Sequence, residues 1–98
     1  MLVVELQNNS LKEAIPESGF AIVDYYASWC GPCKIISKTL EKISASHNVK
    51  IIKVNTEEFP ELSESISSLP TLVFYKDGAE INTVVGAIPE PKIVALLK

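Results

Sequence analysis

The sequence predicts an α/β protein, with a five-stranded mixed sheet flanked by four helices in the order βαβαβαββα. Three observations predict this class. Helical and strand patterns alternate along all 98 residues. The first three strands are separated by helices, so right-handed crossovers make these strands parallel. Asp77-Gly78 between the last two apolar runs indicates a hairpin, which adds antiparallel strands. Helices must then cover both faces of the sheet.

The amino-terminal third predicts two strands and a short helix. Residues 2–6 are apolar enough for a short first strand. Residues 10–13, Ser-Leu-Lys-Glu, form a capping box, and the apolar residues that follow at helical spacing indicate a helix that ends near residues 16–19. Residues 20–27 are apolar on both faces apart from Asp24, as expected for a central strand covered on both sides.

The remaining elements follow from the same kinds of pattern. A long helix after the two cysteines has apolar residues at i, i+4 and i+7 and ends around residues 46–48. Residues 50–55 form the next strand. Pro60 suits the first turn of another helix, and residues 71–75 and 81–85 form the hairpin. A last helix begins near Pro89 and Pro91. The apolar residues are Ile36, Leu40 and Ile43 in the long helix, Leu62 and Ile66 in the helix after Pro60, and Ile93, Val94, Leu96 and Leu97 in the last helix.

Composition narrows the function classes. Ninety-eight residues predict one domain, spanning residues 1–98. Hydrophobic residues make up 47% and charged residues 21%, which is typical of a globular protein. The net charge is −3, with nine Lys and no Arg, and no basic cluster indicates nucleic-acid binding. The longest apolar runs are too short to span a bilayer. Residues 1–5 lack the features of a signal peptide. We expect a cytoplasmic monomer without membrane contact.

Both cysteines lie in one motif, residues 29–34, with the sequence Trp-Cys-Gly-Pro-Cys-Lys. At C-x-x-C spacing a disulfide opens and closes with little backbone movement, because one helical turn brings the two sulfurs together. The motif joins a predicted strand to an amphipathic helix, as expected of a redox site. A buried, inert cysteine pair or a stabilising disulfide is the weaker interpretation, since so short a loop constrains the unfolded chain little.

The position of each cysteine predicts its role. Cys30 lies at the helix amino terminus, where unpaired backbone N–H groups and the helix dipole stabilise a thiolate, so we expect it to be the nucleophile. Gly31 and Pro32 follow it, and proline is tolerated there because a first-turn N–H has no helical partner. Cys33, one turn into the helix, is expected to be more buried and to resolve the mixed disulfide.

Four motifs together resemble those of the thioredoxin family. Residues 23–34 are similar to the family's active-site segment and residues 69–71 to its cis-proline segment. Residues 85–87 are similar to its glycine turn, and Lys53 falls where the family carries a lysine near a buried aspartate. These motifs occur in the family's order over essentially the whole chain. The resemblance implies the thioredoxin fold and a protein-disulfide reductase that donates electrons to cytosolic enzymes.

The resemblance also implies partners. The protein would hold no bound cofactor and no metal, and would receive electrons from an NADPH-dependent thioredoxin reductase. Its substrates would be disulfide-containing proteins, such as ribonucleotide reductase, peroxiredoxins or methionine sulfoxide reductases. Gly-Pro between the cysteines favours a reducing couple in this family.

Asp24 is the candidate proton acceptor. A carboxylate in an apolar strand is costly when ionised and unpaired, so its pKa should be raised. By resemblance it would accept the proton of Cys33, and Lys53 on the adjacent strand would tune it. The alternatives are an Asp24 turned to solvent on an edge strand and a solvated Lys53 at a strand end.

A substrate groove is expected around Cys30. Trp29 and Pro32 would form an apolar lip. A cis peptide bond at Pro70 would let the backbone of Leu69 pair with an extended substrate, although Pro70 alone would also suit a strand start. The groove residues are Trp29, Gly31, Pro32, Leu69, Pro70, Thr71, Gly86 and Ala87.

Two positions depart from the family pattern, and two other function classes remain open. Lys38 replaces a proline that usually kinks the long helix, and Tyr26 replaces Phe or Trp, so its phenol needs a hydrogen-bond partner. The domain could act as a binding module with incidental thiols. Zinc would need two cysteine pairs from two chains. His47 is interpreted as a residue at the end of the long helix, far from Cys30.

Overall fold

The computed structural model describes residues 2–98, which form a mixed five-stranded sheet between helical layers. The strand order is β1-β3-β2-β4-β5; β1, β2 and β3 are parallel, and β4 and β5 are antiparallel to their neighbours. The predicted sheet and the central position of the second strand are confirmed. The elements are β1 (Leu2–Glu5), α1 (Leu11–Ala14), β2 (Phe20–Tyr26), α2 (Gly31–Ser46), β3 (Val49–Asn55), a 3₁₀-helix (Pro60–Leu62), β4 (Thr71–Lys76), β5 (Ala79–Val85) and α3 (Glu90–Ala95).

The two faces of the sheet bury separate apolar clusters, as alternation along the strands requires. On one face α2 and α3 pack over Ile22 and its neighbours, and on the other α1 and the 3₁₀-helix pack over Val23. Asp24 is two residues from Ile22 and therefore lies on the α2 face. The side chains that fill the α2 face are Ile22, Ile36, Leu40, Ile43, Val49, Ile51, Leu72, Phe74 and Ile93.

The prediction of four helices is wrong, because the helix expected after Pro60 is only a 3₁₀ turn over Pro60–Leu62. The backbone N–H of Ser63 bonds to Pro60 O, and its hydroxyl donates to Phe59 O over 3.0 Å. Serine hydroxyls compete in this way for the carbonyls that a longer helix needs. The serines that follow continue this weak helical propensity, and α1, α2 and α3 are the α-helices of residues 2–98.

The expected capping box at the start of α1 does not form. Ser10 is the N-cap residue, but its side chain makes no capping hydrogen bond. Its backbone N–H instead donates to Asn8 Oδ1 over 2.9 Å, so a turn within the loop replaces the cap. Helix α1 accordingly has only four residues.

The predicted hairpin between β4 and β5 is confirmed. Asp77 and Gly78 have φ values of 51° and 83°, the left-handed conformation that a two-residue hairpin turn requires. Asp77 Oδ1 also accepts the N–H of Gly19 over 2.8 Å. This contact joins the turn to the start of β2.

No helix within residues 2–98 is long and apolar enough to cross a membrane. The organisation of residues 1–98 as one domain stays a prediction.

Candidate active site

The two cysteines lie where β2 passes into α2. Cys30 is the N-cap residue of α2 and Cys33 lies in its first turn, with the two Cα atoms 5.3 Å apart and the sulfurs joined in a disulfide. The backbone N–H of Cys33 donates to Cys30 Sγ over 3.2 Å. Pro32 occupies the first turn without loss of a helical hydrogen bond. The helix amino terminus thus directs an N–H donor at one sulfur of the pair.

Both cysteines are largely buried, while the side chain before them is not. Cys30 is 4% exposed and Cys33 is 2% exposed, so the expected difference in burial between them is small. The cysteines pack with Ala27 and contact Leu69, whereas Trp29 is 73% exposed. The indole is therefore far more accessible to solvent than either sulfur.

Asp24 is fully buried on the α2 face of the sheet. Neither of its carboxyl oxygens has a hydrogen-bond partner within residues 2–98. Burial raises the pKa of Asp24 to about 7; nearby Lys53 opposes this effect and Glu5 adds to it. The expected burial and the expected direction of the pKa shift are both confirmed, and the solvent-facing alternative is wrong.

Lys53 is the register partner of Asp24, on β3 as predicted, and is half-buried. Its Nζ lies over the ring of Tyr26, 4.7 Å from the ring centroid. The hydroxyl of Tyr26 donates to Glu5 Oε2 over 2.7 Å. Glu5 is therefore the hydrogen-bond partner that the phenol of Tyr26 was predicted to need.

Three strands contribute one polar row at this end of the sheet. Glu5 on β1 pairs with Lys53 on β3, and Lys53 pairs with Asp24 on β2. Tyr26 lies two residues beyond Asp24 and shares its face. Sequence analysis did not find Glu5, because its place beside Lys53 depends on the register of β1 and β3.

A second carboxylate holds the turn before Cys30. Glu57, in the loop after β3, accepts hydrogen bonds from the backbone N–H and the hydroxyl of Ser28. These two bonds lower the pKa of Glu57. Sequence analysis missed this pair as well, since 29 residues separate its members.

Of the predicted groove residues outside the cysteine motif, Leu69 packs against the cysteines, and the groove itself stays a prediction. The Leu69–Pro70 peptide bond is cis. Pro70 O accepts the N–H of Gly86 over 2.8 Å, and Gly86 has a φ of 96°. Trp29 and Leu69 line one cleft of about 420 Å³. Gly31, Pro32 and Ala87 are exposed, and the buried Thr71 donates its hydroxyl to Ser68 O over 2.6 Å.

No metal site is evident in the part of the chain that the structure describes, since no three His, Cys, Asp or Glu side chains cluster there. His47 is exposed and follows α2 as its C-cap residue. Its Nδ1 lies 3.0 Å from the hydroxyl of Ser46.

Comparison with known proteins gives the family. A family model described as Thioredoxin matches residues 2–98. The chain belongs to the thioredoxin family. Thioredoxin 1 of Synechococcus elongatus is 38% identical over 93 residues, covering 90% of this chain and 87% of the relative. A thioredoxin of Staphylococcus haemolyticus is 35% identical over 101 residues, covering 99% and 96%.

Solved thioredoxin structures have the same fold. A variant of the Halobacterium salinarum thioredoxin superposes with a TM-score of 0.90 at 25% identity, covering 98% of this chain and 88% of that one. Thioredoxin of Schistosoma mansoni gives a TM-score of 0.86 at 28% identity, covering 98% and 93%. With thioredoxin relatives and a Cys-x-x-Cys pair in a disulfide, the protein is a protein-disulfide oxidoreductase of this family. Thioredoxins act on disulfide substrates and carry no bound cofactor.

Proposed function

We propose that the protein reduces the disulfides of other proteins with Cys30 as nucleophile and Cys33 as resolving thiol. The observation that carries this proposal is the hydrogen bond from the backbone N–H of Cys33 to Cys30 Sγ at the start of α2. An N–H donor and the helix dipole both favour a thiolate at that sulfur. Cys33 lies inside the first turn of α2 and not at the N-cap position.

The reaction proceeds in two exchanges. The Cys30 thiolate attacks a substrate disulfide, a Cys30–substrate disulfide forms, and one substrate thiolate leaves. Cys33 then loses its proton and attacks Cys30 Sγ, which forms the intramolecular disulfide and releases the second substrate thiolate. Two electrons pass from the cysteine pair to the substrate.

Asp24 takes the proton of Cys33 in this proposal. It is buried on the face of the sheet that α2 covers, and its pKa of about 7 lets it accept and return a proton near neutral pH. Lys53 tunes Asp24 from the adjacent strand. The strand register that pairs these two residues supports this role.

The substrate lies as an extended segment across the groove. The backbone of Leu69 pairs with it beside the cis peptide bond, and Trp29 and Pro32 form the apolar lip. Gly86 and Ala87 leave the far side flat, and Gly31 and Thr71 complete the groove. Support comes from the exposure of Trp29 and from the hydrogen bond that joins Gly86 to Pro70.

We further propose that the protein is a cytoplasmic monomer whose disulfide is reduced by an NADPH-dependent thioredoxin reductase. Disulfide-containing proteins such as peroxiredoxins are its substrates. A structural neighbour at 27% identity and a TM-score of 0.82 comes from work on thiol resolution in a yeast mitochondrial 1-Cys peroxiredoxin through glutathione and thioredoxin systems, which supports that substrate class.

The test is the reduction potential of the Cys30–Cys33 pair, measured by equilibration in defined thiol buffers. We expect a value near the roughly −270 mV typical of thioredoxins. A value near the roughly −120 mV of a strong oxidant would overturn the reductase role. Partner binding that survives Cys30→Ser together with Cys33→Ser would favour a binding module instead.

A further inference from the structure

We propose that Glu5, held by Tyr26, is a positioning residue that competes with Asp24 for the charge of Lys53 and so controls when Asp24 takes up a proton. This inference rests on the proposed role of Asp24 in the exchange reaction. It assigns a role to Glu5 and Tyr26, which lie outside the cysteine motif. Glu5 is on β1 and Tyr26 is on β2, at the same end of the sheet as Lys53 and Asp24.

The strand register sets up a competition between two carboxylates. Glu5 and Asp24 are the register partners of Lys53 on its two sides. Adjacent residues in register point to the same face of a sheet, so one ammonium group lies on the same face as two carboxylates. The charge that would stabilise ionised Asp24 is therefore shared.

The contacts show where the ammonium group lies and what holds Glu5 near it. Lys53 Nζ lies over the ring of Tyr26, where the aromatic face attracts a cation. The hydroxyl of the same ring is bonded to Glu5 Oε2 over 2.7 Å. Within residues 2–98 Lys53 makes no ion pair with either carboxylate, and Asp24 also has no hydrogen bond. Tyr26 thus contacts the ammonium group of Lys53 through its ring and the carboxylate of Glu5 through its hydroxyl. The carboxyl group of Asp24, on the same face, has no hydrogen-bond partner among the described residues.

The other titratable groups packed near Asp24 come from α2 and from the loop after β3. Beside Cys33, a cleft of about 440 Å³ reaches Tyr26 and Lys53. On the β4 side the register partner of Asp24 is the apolar Leu72. The titratable groups on α2 and on the loop after β3 are Cys33, Lys34, Lys38, Glu41, Lys42, Glu57 and Glu58. Burial and the charge of Glu5, on β1, are what raise the pKa of Asp24.

Removal of the Glu5 charge acts on Asp24 in two ways that have the same sign. One negative charge leaves the neighbourhood of Asp24, and Lys53 loses its competing partner. Both effects favour ionised Asp24. We expect Glu5→Gln to lower the titration midpoint of Asp24 by about half a pH unit to one unit, since coupling between partly exposed charges is of that size.

The experiment follows the Asp24 carboxyl carbon by ¹³C NMR during a pH titration of the disulfide form, in which the cysteines do not titrate. Glu13→Gln is the matched control, because it removes one carboxylate from exposed α1 at the other face of the sheet. Its midpoint should equal that of the parent protein. A Glu5→Gln midpoint equal to that of Glu13→Gln, or above it, would overturn the proposal.

Tyr26→Phe tests the link between the two carboxylates. It keeps the aromatic ring under Lys53 and removes only the hydroxyl that holds Glu5. We expect it to lower the Asp24 midpoint in the parent protein and to leave it unchanged in the Glu5→Gln background. Equal shifts in both backgrounds would show that the hydroxyl does not act through Glu5.

A kinetic measurement connects the titration to the exchange reaction. A coloured aromatic thiol is attached to Cys30 as a mixed disulfide, and its release by Cys33 is followed by absorbance across pH. The midpoint of this profile should fall in Glu5→Gln by the same amount as the NMR midpoint. If Asp24→Asn leaves release unchanged, the proposed role of Asp24 fails, while the NMR result still decides whether Glu5 controls its ionisation.

Discussion

Glu57 Oε1 accepts two hydrogen bonds from Ser28, one from the backbone N–H over 2.8 Å and one from the hydroxyl over 2.7 Å. Ser28 lies in the turn that carries Cys30, and the N–H of Cys30 closes this turn on Ala27 O. The loop after β3 and the turn before the cysteine motif are therefore joined through one carboxylate oxygen.

The contact between Glu57 and Ser28 should be lost in acid. Because the two hydrogen bonds favour the charged carboxylate, the pKa of Glu57 lies below its usual 4.5. For a lowered pKa, the stabilising effect is present above pH 4.5 and disappears as the pH falls through the lowered value. The Ser28 amide proton should therefore move upfield below pH 4.5 in an NMR titration. Glu57→Gln should remove this transition and Glu58→Gln should keep it; a transition retained in Glu57→Gln would assign it to another group.

Asp24→Asn should stabilise the fold at alkaline pH and slow disulfide exchange. The raised pKa of Asp24 means that ionisation of the folded state lags behind that of the unfolded state between pH 3.8 and about 7, so stability falls with rising pH over this window. Asn cannot ionise, so the variant should gain on the order of 4 kcal/mol over the parent at pH 8 and nothing at pH 3. Urea unfolding of the disulfide forms measures this difference. Glu61→Gln, an exposed control, should show no such gain.

Cys33→Ser should capture substrates on Cys30. The first exchange proceeds, but no thiol is in place to attack the Cys30–substrate disulfide, so the adduct accumulates. Adducts from a cell lysate are separated on a non-reducing gel and should disappear on treatment with dithiothreitol. Cys30→Ser should capture far fewer proteins, since the remaining thiol lacks the N-cap position at which the helix dipole and a backbone N–H favour a thiolate. Equal capture by both variants would contradict the assigned order of the two cysteines.

The elements that sequence predicted best are those in which pattern and packing agree. Strand β2 is apolar on both faces and lies at the centre of the sheet, and the i, i+4, i+7 repeat of α2 is the buried face of that helix. The weak elements are those in which local hydrogen bonds compete. Ser63 ends the helix expected after Pro60, and Ser10 does not cap α1.

The site divides in the same way. Cys30, Cys33 and Asp24 stand out in the sequence, because a close cysteine pair and a carboxylate in an apolar strand are both local signals. Glu5 and Glu57 give no such signal: each is an ordinary acidic residue until strand register and loop packing bring it to Lys53 or Ser28. Residues whose contacts depend on long-range pairing could therefore not be identified from the sequence alone.

Gly86 and Gly31 should respond in opposite directions to alanine. Gly86 has a φ of 96° and Gly31 does not have a positive φ, while neither has an atom within 4 Å of where a Cβ would lie. The difference between the variants is therefore one of backbone conformation and not of space. Gly86→Ala should lose about 1–2 kcal/mol of stability, because a side chain disfavours that φ. Gly31→Ala should gain about 0.5 kcal/mol, because alanine has fewer unfolded conformations. Urea unfolding of both variants gives the two values. Because the N–H of Gly86 bonds to Pro70 O in the proposed groove, Gly86→Ala should also raise the KM for a protein disulfide. Equal stabilities would show that the turn relaxes around the new side chain.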